Sequence, residues 1–450
     1  MKINSLKIKD FRGFRDCEIT FPKSSNIVVF IGVNGAGKSA ILDAMSIILD
    51  VLVGDICYRK YTERRTTTNK FNQDDINLNA EKYVLDMEFS TKRYEKYSLS
   101  KNQLVNTYTI SLMSLTALSL INKISLNGTY NDFTNELELT SPESLNLPIL
   151  IYYQINRNII NNSKQPTPKH TRKYKYSQCF AYENTFNNNI NPFNDFSKWF
   201  REEEDLENQE QINLKDFTYR NQRLEIVRNA INNFLNKFEF AKFSDLRVER
   251  ERIPSKRNNP SEESIVSSLI IDKDSQKFKF SQLSSGEKMM LSLVVDIARR
   301  LAIANPSLEN KLEGEGIVLV DEIDLHLHPQ WQRKLLPALT HTFPNIQFIV
   351  TTHSPQVLSH LPKESVFLLE DNKISDREIY TEGRDSNSIL LDAFQVPEVD
   401  KEYEVEIKEI YNLISKYDVE NALKKLENLK EKRGEYDREV MRMQSYIDIL

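Results

Sequence analysis

Apolar and polar residues alternate at the start of the chain. Apolar residues stand among polar ones over residues 3–8, and a second alternating run covers residues 17–21. This pattern predicts an antiparallel pair of strands. Residues 26–31 are almost continuously apolar, and residues 40–52 carry apolar side chains at helical spacing. We therefore expect two paired strands, a buried strand and a helix, in that order.

Further apolar runs of strand length recur along the chain. Their length and their polar or turn-forming ends are typical of strands, and they cover residues 82–90, 105–112, 149–153, 316–320, 346–350 and 366–369. Helical spacing of apolar residues returns at 212–237, where it predicts one packed helix. The charged tail from residue 401 predicts two amphipathic helices and a third at 436–450, which dock on the core or on a partner.

Two segments lack an apolar period. Residues 57–77 are polar and charged, with a basic cluster at Lys60, Arg64 and Arg65, and we expect an exposed loop there. Residues 158–195 are rich in asparagine, partly basic, and contain three prolines. A mobile or disordered insertion is expected for them.

The composition limits the class of protein. With 450 residues, 40% of them hydrophobic and 10% aromatic, the chain is long enough for two or three domains. Its 60 basic and 65 acidic residues give a formal net charge of -5, so bulk charge does not indicate nucleic-acid binding. Cys17, Cys57 and Cys179 lie far apart, which predicts reduced thiols. The start does not read as a signal peptide, and no apolar run reaches the ~18 residues of a membrane span. We expect a cytoplasmic protein.

A glycine-rich loop follows the third predicted strand. Residues 32–39 read GVNGAGKS and fill every fixed position of the phosphate-binding pattern G-x-x-x-x-G-K-[ST]. In such a loop, backbone N–H groups from Asn34 to Lys38 surround a phosphate, Lys38 contacts the outer phosphates, and Ser39 binds Mg²⁺. Contacts with ATP are accordingly predicted for Gly32, Asn34, Gly35, Ala36, Gly37, Lys38, Ser39 and Ala40.

Two later strands end in residues suited to phosphate chemistry. The strand at 316–320 leads into Asp321 and Glu322, and the strand at 346–350 leads through two threonines into His353. Adjacent acids at a strand end are by themselves more often solvated, but together with the phosphate loop they indicate catalysis. We predict that Asp321 binds Mg²⁺, that Glu322 polarises the attacking water, and that His353 contacts the γ-phosphate or positions water.

His326 and His328 also lie near carboxylates, which raises the question of a second metal. A third ligand at suitable spacing is missing, and the pair follows the catalytic acids in a connecting turn. We predict a structural role for both.

Four segments, in this order, resemble the motifs of one ATPase group. They are GVNGAGKS (Walker A), LSSGEK (signature), GIVLVDEIDLHLHP (Walker B with D-loop) and FIVTTHSP (switch histidine). Together they resemble the ABC-type ATPases of the RecF and structural-maintenance-of-chromosomes group. The resemblance implies an α/β fold, an ABC-type P-loop ATPase head with a mixed central sheet, a flanking antiparallel sheet, a helical insertion and a helical C-terminal tail.

The same resemblance assigns further site residues. In this group the signature motif completes the ATP site of a second subunit, which implies a head-to-tail homodimer, or a higher homo-oligomer, holding ATP and Mg²⁺. The residues that it places in the second subunit's site are Ser284, Ser285, Gly286, Glu287 and Asp324. Gln154, directly after a predicted strand, is similar to the Q-loop residue. Arg12 in FRGF resembles an N-terminal arginine that lies near the nucleotide.

Nearly the whole chain resembles a narrower family. The segments PILIYYQINRNI, NDFSKWFREEEDLENQE, FSDLRVERERIP, VVDIARRLAIANP and GRDSNSILLDAF, with the helical tail, resemble PtuA-type ATPases of Septu and retron-linked antiphage systems. Glu203 departs from this family, in which arginine is expected, and residues 158–180 are unusually rich in asparagine and lysine. The resemblance implies a switch subunit that controls a separate HNH nuclease. The regions expected are an N-terminal ATPase lobe (1–157), a partly disordered then helical insertion (158–278), a C-terminal ATPase lobe (279–400) and a helical tail (401–450).

Two other functions belong to different classes of protein. A RecF-like DNA-binding ATPase in DNA repair or maintenance stays open, because a local basic patch is compatible with a net charge of -5. A self-contained nuclease is disfavoured, since the residues after His353 offer only scattered acids, and the other histidines lack the neighbours of an HNH site. We expect ATPase activity without intrinsic nuclease activity.

Overall fold

The computed structural model describes residues 1–61, 73–94, 103–115, 123–126, 146–155, 177–187, 192–238, 243–254, 263–395 and 401–449. The chain divides into two compact units, Met1–Ile389 and Leu390–Leu450. The phosphate loop, the acids Asp321 and Glu322 and the signature segment all belong to the first unit.

Strands and helices follow one another along both units. The strands are β1 Lys2–Phe11, β2 Phe14–Thr20, β3 Ile27–Ile31, β4 Lys82–Tyr94, β5 Gln103–Leu115, β6 Lys123–Leu126, β7 Ile149–Tyr153, β8 Phe243–Pro254, β9 Glu263–Lys273, β10 Gln276–Lys279, β11 Gly316–Val320, β12 Ile346–Thr351, β13 Val366–Glu370 and β14 Lys373–Ile374. The helices are α1 Lys38–Tyr61, α2 Pro192–Leu214, α3 Gln222–Leu235, α4 Ser285–Ala304, α5 Pro329–Thr342, α6 Pro355–Leu358, α7 Ser386–Phe394, α8 Lys401–Ser415, α9 Val419–Arg433 and α10 Arg438–Ile449. Every strand expected from the apolar runs is present.

The central sheet has the strand order β14-β13-β3-β12-β11-β7. Strands β13, β3, β12, β11 and β7 run parallel, and β14 is antiparallel to β13. Strands β7, β11 and β12 are buried along their whole length, which explains their continuous apolar runs, because a parallel sheet is covered on both faces. The mixed central sheet expected from the sequence is therefore confirmed.

A second sheet is antiparallel, with the order β2-β1-β4-β5-β6. The first two strands pair as predicted, with Leu6 opposite Ile19 and Ile8 opposite Cys17. These four side chains are buried. The flanking antiparallel sheet is thus confirmed.

A third sheet, β10-β9-β8, was missed by the sequence analysis, which expected the end of the 158–278 insertion to be helical. One face of this sheet is charged. Glu249 forms ion pairs with Arg247 and Lys277, and Glu251 pairs with Lys279. Because ion pairs between strands replace apolar residues on this face, the alternation that identifies a strand is weak.

The single helix predicted at 212–237 is wrong in its start. Helix α2 ends at Leu214, and the chain then turns at Lys215, which has a φ of 52°. The carboxylate of Asp216 accepts a hydrogen bond from the Thr218 N–H, and Asn221 caps α3 by accepting one from the Arg223 N–H. These local hydrogen bonds compete with helical ones and separate α2 from α3.

Both segments without an apolar period are partly ordered. Residues Gln178–Tyr182 form a 3₁₀ helix in which Ala181 and Tyr182 are fully buried, so the expectation of a disordered insertion is wrong here. Helix α2, which begins at Pro192, overlaps the end of the same segment. The loop expected from residue 57 is wrong at its start, because α1 continues to Tyr61. Residues Gln73–Asp75 form a 3₁₀ helix, and Asp75 and Ile76 are buried, so the expectation of an exposed loop is wrong there as well. Residues 62–72, including Arg64 and Arg65, and residues 156–176 and 188–191 lie outside the described residues.

The C-terminal unit contains the three predicted tail helices, α8 to α10. Their apolar residues pack into a core of their own, made of Ile410, Ala422, Leu426, Leu429, Val440, Met443 and Ile447. The apolar faces of these amphipathic helices thus pack largely against one another. Among the described residues, none of the helices has both the length and the apolar character needed to span a membrane.

Candidate functional site

The parallel strands bring the predicted motifs to one edge of the central sheet. Strand β3 ends at the phosphate loop, its neighbour β12 leads into Thr352 and His353, β11 leads into Asp321, and β7 leads into Gln154. Backbone pairing continues one residue past the strands, since the Asp321 N–H donates to the Tyr153 carbonyl at 2.9 Å. In open parallel sheets, ligands bind outside the carboxyl ends of the strands. This edge is therefore the candidate site.

The phosphate loop is held by its own lysine. The Lys38 Nζ atom donates to the carbonyl oxygens of Gly32 at 2.9 Å and Val33 at 3.0 Å. Lys38 is the first residue of α1 and is buried, whereas Asn34 and Gly35 at the loop tip are exposed. Burial lowers the pKa of Lys38, and the nearby Asp321 and Glu322 carboxylates oppose that shift. The amine thus lies within the electrostatic reach of both acids.

The two acids are oriented by one threonine. The Thr351 hydroxyl donates to Asp321 Oδ1 at 2.5 Å and accepts from the Glu322 N–H at 2.7 Å. Asp321 is buried, and Glu322 is half-buried with a φ of 47°, a conformation that is uncommon outside glycine. A residue held in this region of φ directs its side chain away from the strand path, which is frequent at functional sites.

The residues that follow β12 contact the D-loop. The Thr352 hydroxyl donates to Asp324 Oδ1 at 2.5 Å and accepts from the Ser354 N–H at 2.9 Å. The Ser354 hydroxyl donates to the Gln332 side chain, whose amide in turn donates to the Leu327 carbonyl. Side-chain hydrogen bonds consequently join the D-loop to the residues on either side of the switch histidine, Thr352 and Ser354.

His353 lies in the electrostatic field of the same groups. Burial and the charge of Lys38 lower its pKa, and the carboxylates of Glu322, Asp324 and Asp321 oppose the shift. The imidazole therefore stays neutral at pH 7. A neutral imidazole can accept or donate a hydrogen bond at a phosphate or a water molecule.

The signature segment begins α4, and its serines face solvent. Ser284 caps the helix and forms a capping box with Glu287, whose carboxylate also accepts from Lys273 Nζ at 2.6 Å. Ser284 and Ser285 are exposed, while Gly286 and Glu287 are buried. A Cβ at Gly286 would lie 2.8 Å from the His326 carbonyl oxygen, so glycine is required for the close approach of α4 to the D-loop. Glu287 thus has a structural role in this chain, and the two serines are accessible to a partner.

The remaining predicted residues have defined surroundings. Arg12 forms ion pairs with Asp43 at 2.5 Å and Asp75 at 2.8 Å, and the Tyr152 hydroxyl donates to Asp43 at 2.9 Å. Its guanidinium is therefore directed to these acids, and its predicted contact with nucleotide stays a prediction. Gln154 is half-buried directly after β7.

His326 and His328 are exposed, in the D-loop and at the start of α5, and their structural role stays a prediction. His328 accepts a weak hydrogen bond from the Gln330 N–H at the start of α5, and His326 has a φ of 64° in the D-loop turn. Across the ranges that the structure describes, groups of three or more histidine, cysteine or acidic residues suited to a metal ion are absent. For Mg²⁺, the hydroxyl of Ser39 and the carboxylate of Asp321 are oxygen donors of the kind that this cation prefers.

A buried ionic cluster near the site was missed by the sequence analysis. Asp296 on α4 accepts from Arg299 at 2.7 Å, from Arg300 at 2.8 Å and from the Tyr153 hydroxyl at 2.7 Å. Arg300 also donates to the Ala181 carbonyl, so the cluster joins α4, β7 and the 3₁₀ segment. The spacing D-x-x-R-R on one helix is the signal that could have indicated it, but its partner Tyr153 is visible only in the fold.

Comparison with known proteins agrees with this site. Residues 1–358 match the family described as AAA ATPase domain. A "Retron Vc95 probable ATPase" from Vibrio cholerae serotype O1 biovar El Tor is 29% identical over 93% of this chain and 83% of that protein. A "Septu protein PtuA" from Bacillus mycoides is 24% identical over 84% of this chain but only 41% of that protein.

One solved structure also overlaps with most of the chain. It is an Smc head bound to the C-terminal winged-helix domain of ScpA, at 16% identity and a TM-score of 0.43, over 84% of this chain and 99% of that chain. The family match covers the phosphate loop, the acids, the signature and the switch histidine. The chain belongs to the AAA ATPase domain family.

Proposed function

We propose that this protein is the ATP-hydrolysing switch subunit of a bacterial antiphage defence complex and controls a separate HNH nuclease. The observation that carries the ATPase part is the convergence of the phosphate loop, Asp321, Glu322 and His353 at one edge of the central sheet. The retron and Septu names of the relatives support the setting.

Each residue has a role that follows from its place. Backbone N–H groups of Asn34 to Lys38, at the start of α1, bind phosphate, and Lys38 stabilises the outer phosphates. Ser39 and Asp321 hold Mg²⁺, which neutralises charge on the phosphates. Glu322 orients the attacking water and accepts its proton.

The predicted ATP site is shared between two subunits. Ser284 and Ser285 are exposed at the N-terminus of a 20-residue helix, where backbone N–H groups and the helix dipole favour an anion. In this chain Ser284 contacts Glu287 rather than its own phosphate loop. A second copy of the chain supplies these groups to the first, together with Asp324 from its D-loop.

The nuclease belongs to a partner in this proposal. Its docking site includes the tail from Lys401 to Leu450, which still exposes Val405, Tyr436 and Ile449 after its own core has formed. Purified protein with Mg²⁺ and ATP should hydrolyse ATP and leave DNA and tRNA intact, and cleavage should appear when the proposed HNH partner is added. The matched control is Lys38→Ala protein with the same partner.

Truncation at Asp400 tests the docking site. The shortened protein should keep ATPase activity and lose co-purification of the partner. Cleavage by the lone protein that disappears in Lys38→Ala would contradict the division of labour. Salt-sensitive binding of DNA by the lone protein, without any effect of the HNH protein, would instead favour the RecF-like function.

A further inference from the structure

Two turns from distant parts of the sequence contact the phosphate loop. One is the FRGF turn between β1 and β2, which contains Gly13 and Phe14. The other is the hairpin turn between β13 and β14, formed by Asp371 and Asn372. Both hairpin residues have positive φ, 49° and 57°, as in the tight two-residue hairpins that favour asparagine, aspartate and glycine.

The side-chain amide of Asn372 lies between two glycines. A Cβ at Gly13 would lie 2.6 Å from Asn372 Cγ and 2.8 Å from Nδ2. A Cβ at Gly37 would lie 2.9 Å from Asn372 Oδ1 and 2.6 Å from Cζ of Phe14. All four distances are shorter than real Cβ contacts, so the amide fills the space between the FRGF turn and the phosphate loop.

The hairpin that carries Asn372 is fixed to the strand that enters the loop. Strand β13 pairs in parallel with β3, with Leu368 beside Ile31, the last residue before the loop. The Ser375 N–H donates to the Leu368 carbonyl at 2.8 Å and closes the hairpin. A Cβ at Gly32 would collide with the Leu369 carbonyl oxygen. The hairpin therefore contacts the phosphate loop at its first glycine and at its last.

We propose that Asn372 is a positioning residue for the phosphate loop and sets its affinity for ATP. It acts through Gly37, the residue before Lys38, which it holds against Gly13. The N–H groups of the loop bind phosphate only when they point at one place, and small displacements of such groups are costly. This inference rests on the proposed binding of ATP at residues 32–39.

Asn372→Gly isolates the amide, because glycine tolerates the positive φ and Asp-Gly is a favoured hairpin pair. We expect the Kd for the non-hydrolysable analogue AMP-PNP with Mg²⁺ to rise about fivefold or more, in line with loosened preorganisation. The KM for ATP should rise in parallel, and kcat should change much less. Asp371→Gly, in the same turn but exposed, should bind as wild type does. Equal affinity of Asn372→Gly and wild type would overturn the inference.

A pair of variants tests the contact itself. Gly13 lies outside the positive-φ region, so alanine is permitted by the backbone there and is opposed by the Asn372 amide. Gly13→Ala should weaken AMP-PNP binding about tenfold, because overpacking displaces the turn or the loop. Adding Asn372→Gly should return the affinity to that of Asn372→Gly alone. Absence of this rescue, with melting temperatures showing folded protein, would overturn the inference.

The proposed binding of ATP at residues 32–39 and the role of Asn372 can be disproved separately. If wild type does not bind AMP-PNP, or if Lys38→Ala binds it equally well, binding at residues 32–39 is wrong. If wild type binds and Lys38→Ala does not, but Asn372→Gly matches wild type, only the role of Asn372 is wrong.

Discussion

The hydroxyl of Thr351 donates a hydrogen bond of 2.5 Å to Asp321, across the boundary between β12 and β11. The same oxygen accepts the N–H of Glu322 at 2.7 Å. One side chain thus fixes the carboxylate assigned to Mg²⁺ and the backbone of the proposed base. Neither partner is near Thr351 in sequence.

Thr351→Val should therefore reduce hydrolysis. Valine keeps a similar shape but removes the hydroxyl that donates to Asp321 and accepts the Glu322 N–H. We expect kcat to fall about tenfold, which corresponds to about 1.4 kcal/mol of lost orientation. Thr351→Ser retains the hydroxyl and should stay within about threefold of wild type. Phosphate release gives kcat of both variants, and thermal melting shows whether they are folded. Equal losses of kcat in the two variants would contradict the role of the hydroxyl.

Glu322→Gln should bind ATP and fail to hydrolyse it. The amide cannot accept a proton from water, whereas Ser39 and Asp321 are unchanged. Steady-state phosphate release should fall at least ~100-fold, and binding of ATP should be retained. Glu364→Gln, at an exposed position in the 3₁₀ helix before β13, is the matched control. Turnover like that of wild type would remove Glu322 from the mechanism.

Mixing two inactive variants tests the shared site. Lys38→Ala damages the phosphate loop, and Ser284→Arg blocks the exposed start of α4. A mixed dimer contains one site with both halves intact, so part of the lost activity should return on mixing. Mass measurements with and without ATP establish whether dimers form and exchange. No recovery in exchanging dimers would indicate hydrolysis within one subunit.

The pH dependence of hydrolysis should reflect His353. Because burial and Lys38 lower its pKa, His353 is neutral above about pH 6.5, the ordinary value, and becomes charged only below it. Activity should be level from about pH 6.5 to 8 and fall at lower pH, where the imidazole is protonated. His353→Gln should have a lower kcat at pH 7.5, and its activity should no longer fall at low pH through protonation of this imidazole. His360→Gln, an exposed histidine, should keep the wild-type profile.

Asp296→Asn should destabilise the first unit. Burial alone would raise the pKa of Asp296, but Arg300 and Arg299 hold it below its usual range, so the carboxylate is ionised in the fold. Its stabilising effect is present above the unfolded pKa and is lost as the pH falls through the lower folded pKa. Removing the charge leaves two buried guanidinium groups unbalanced, and we expect a loss of about 3 kcal/mol at pH 7. Denaturant unfolding measures this loss in the free energy of unfolding, and Asp376→Asn at an exposed position is the control.

The sequence by itself determined the apolar strands of the central sheet and the residues proposed for its chemistry. Apolar runs are long and bounded in a covered parallel sheet, so β3, β7, β11 and β12 were readable in order. The phosphate loop requires glycine and lysine at fixed spacing, and the acids and histidine stand where strands end. These signals are local, because each depends on residues close together in the chain.

The tertiary structure decided what depends on contacts between distant segments. The charged sheet β8–β10 and the turn between α2 and α3 were misread, since ion pairs and local caps carry no apolar period. Pairing of β12 with β11 brings Thr351 to Asp321, and the β13–β14 hairpin brings Asn372 to Gly13 and Gly37. Such contacts join residues separated by tens to hundreds of positions, and only the packing of the chain selects them.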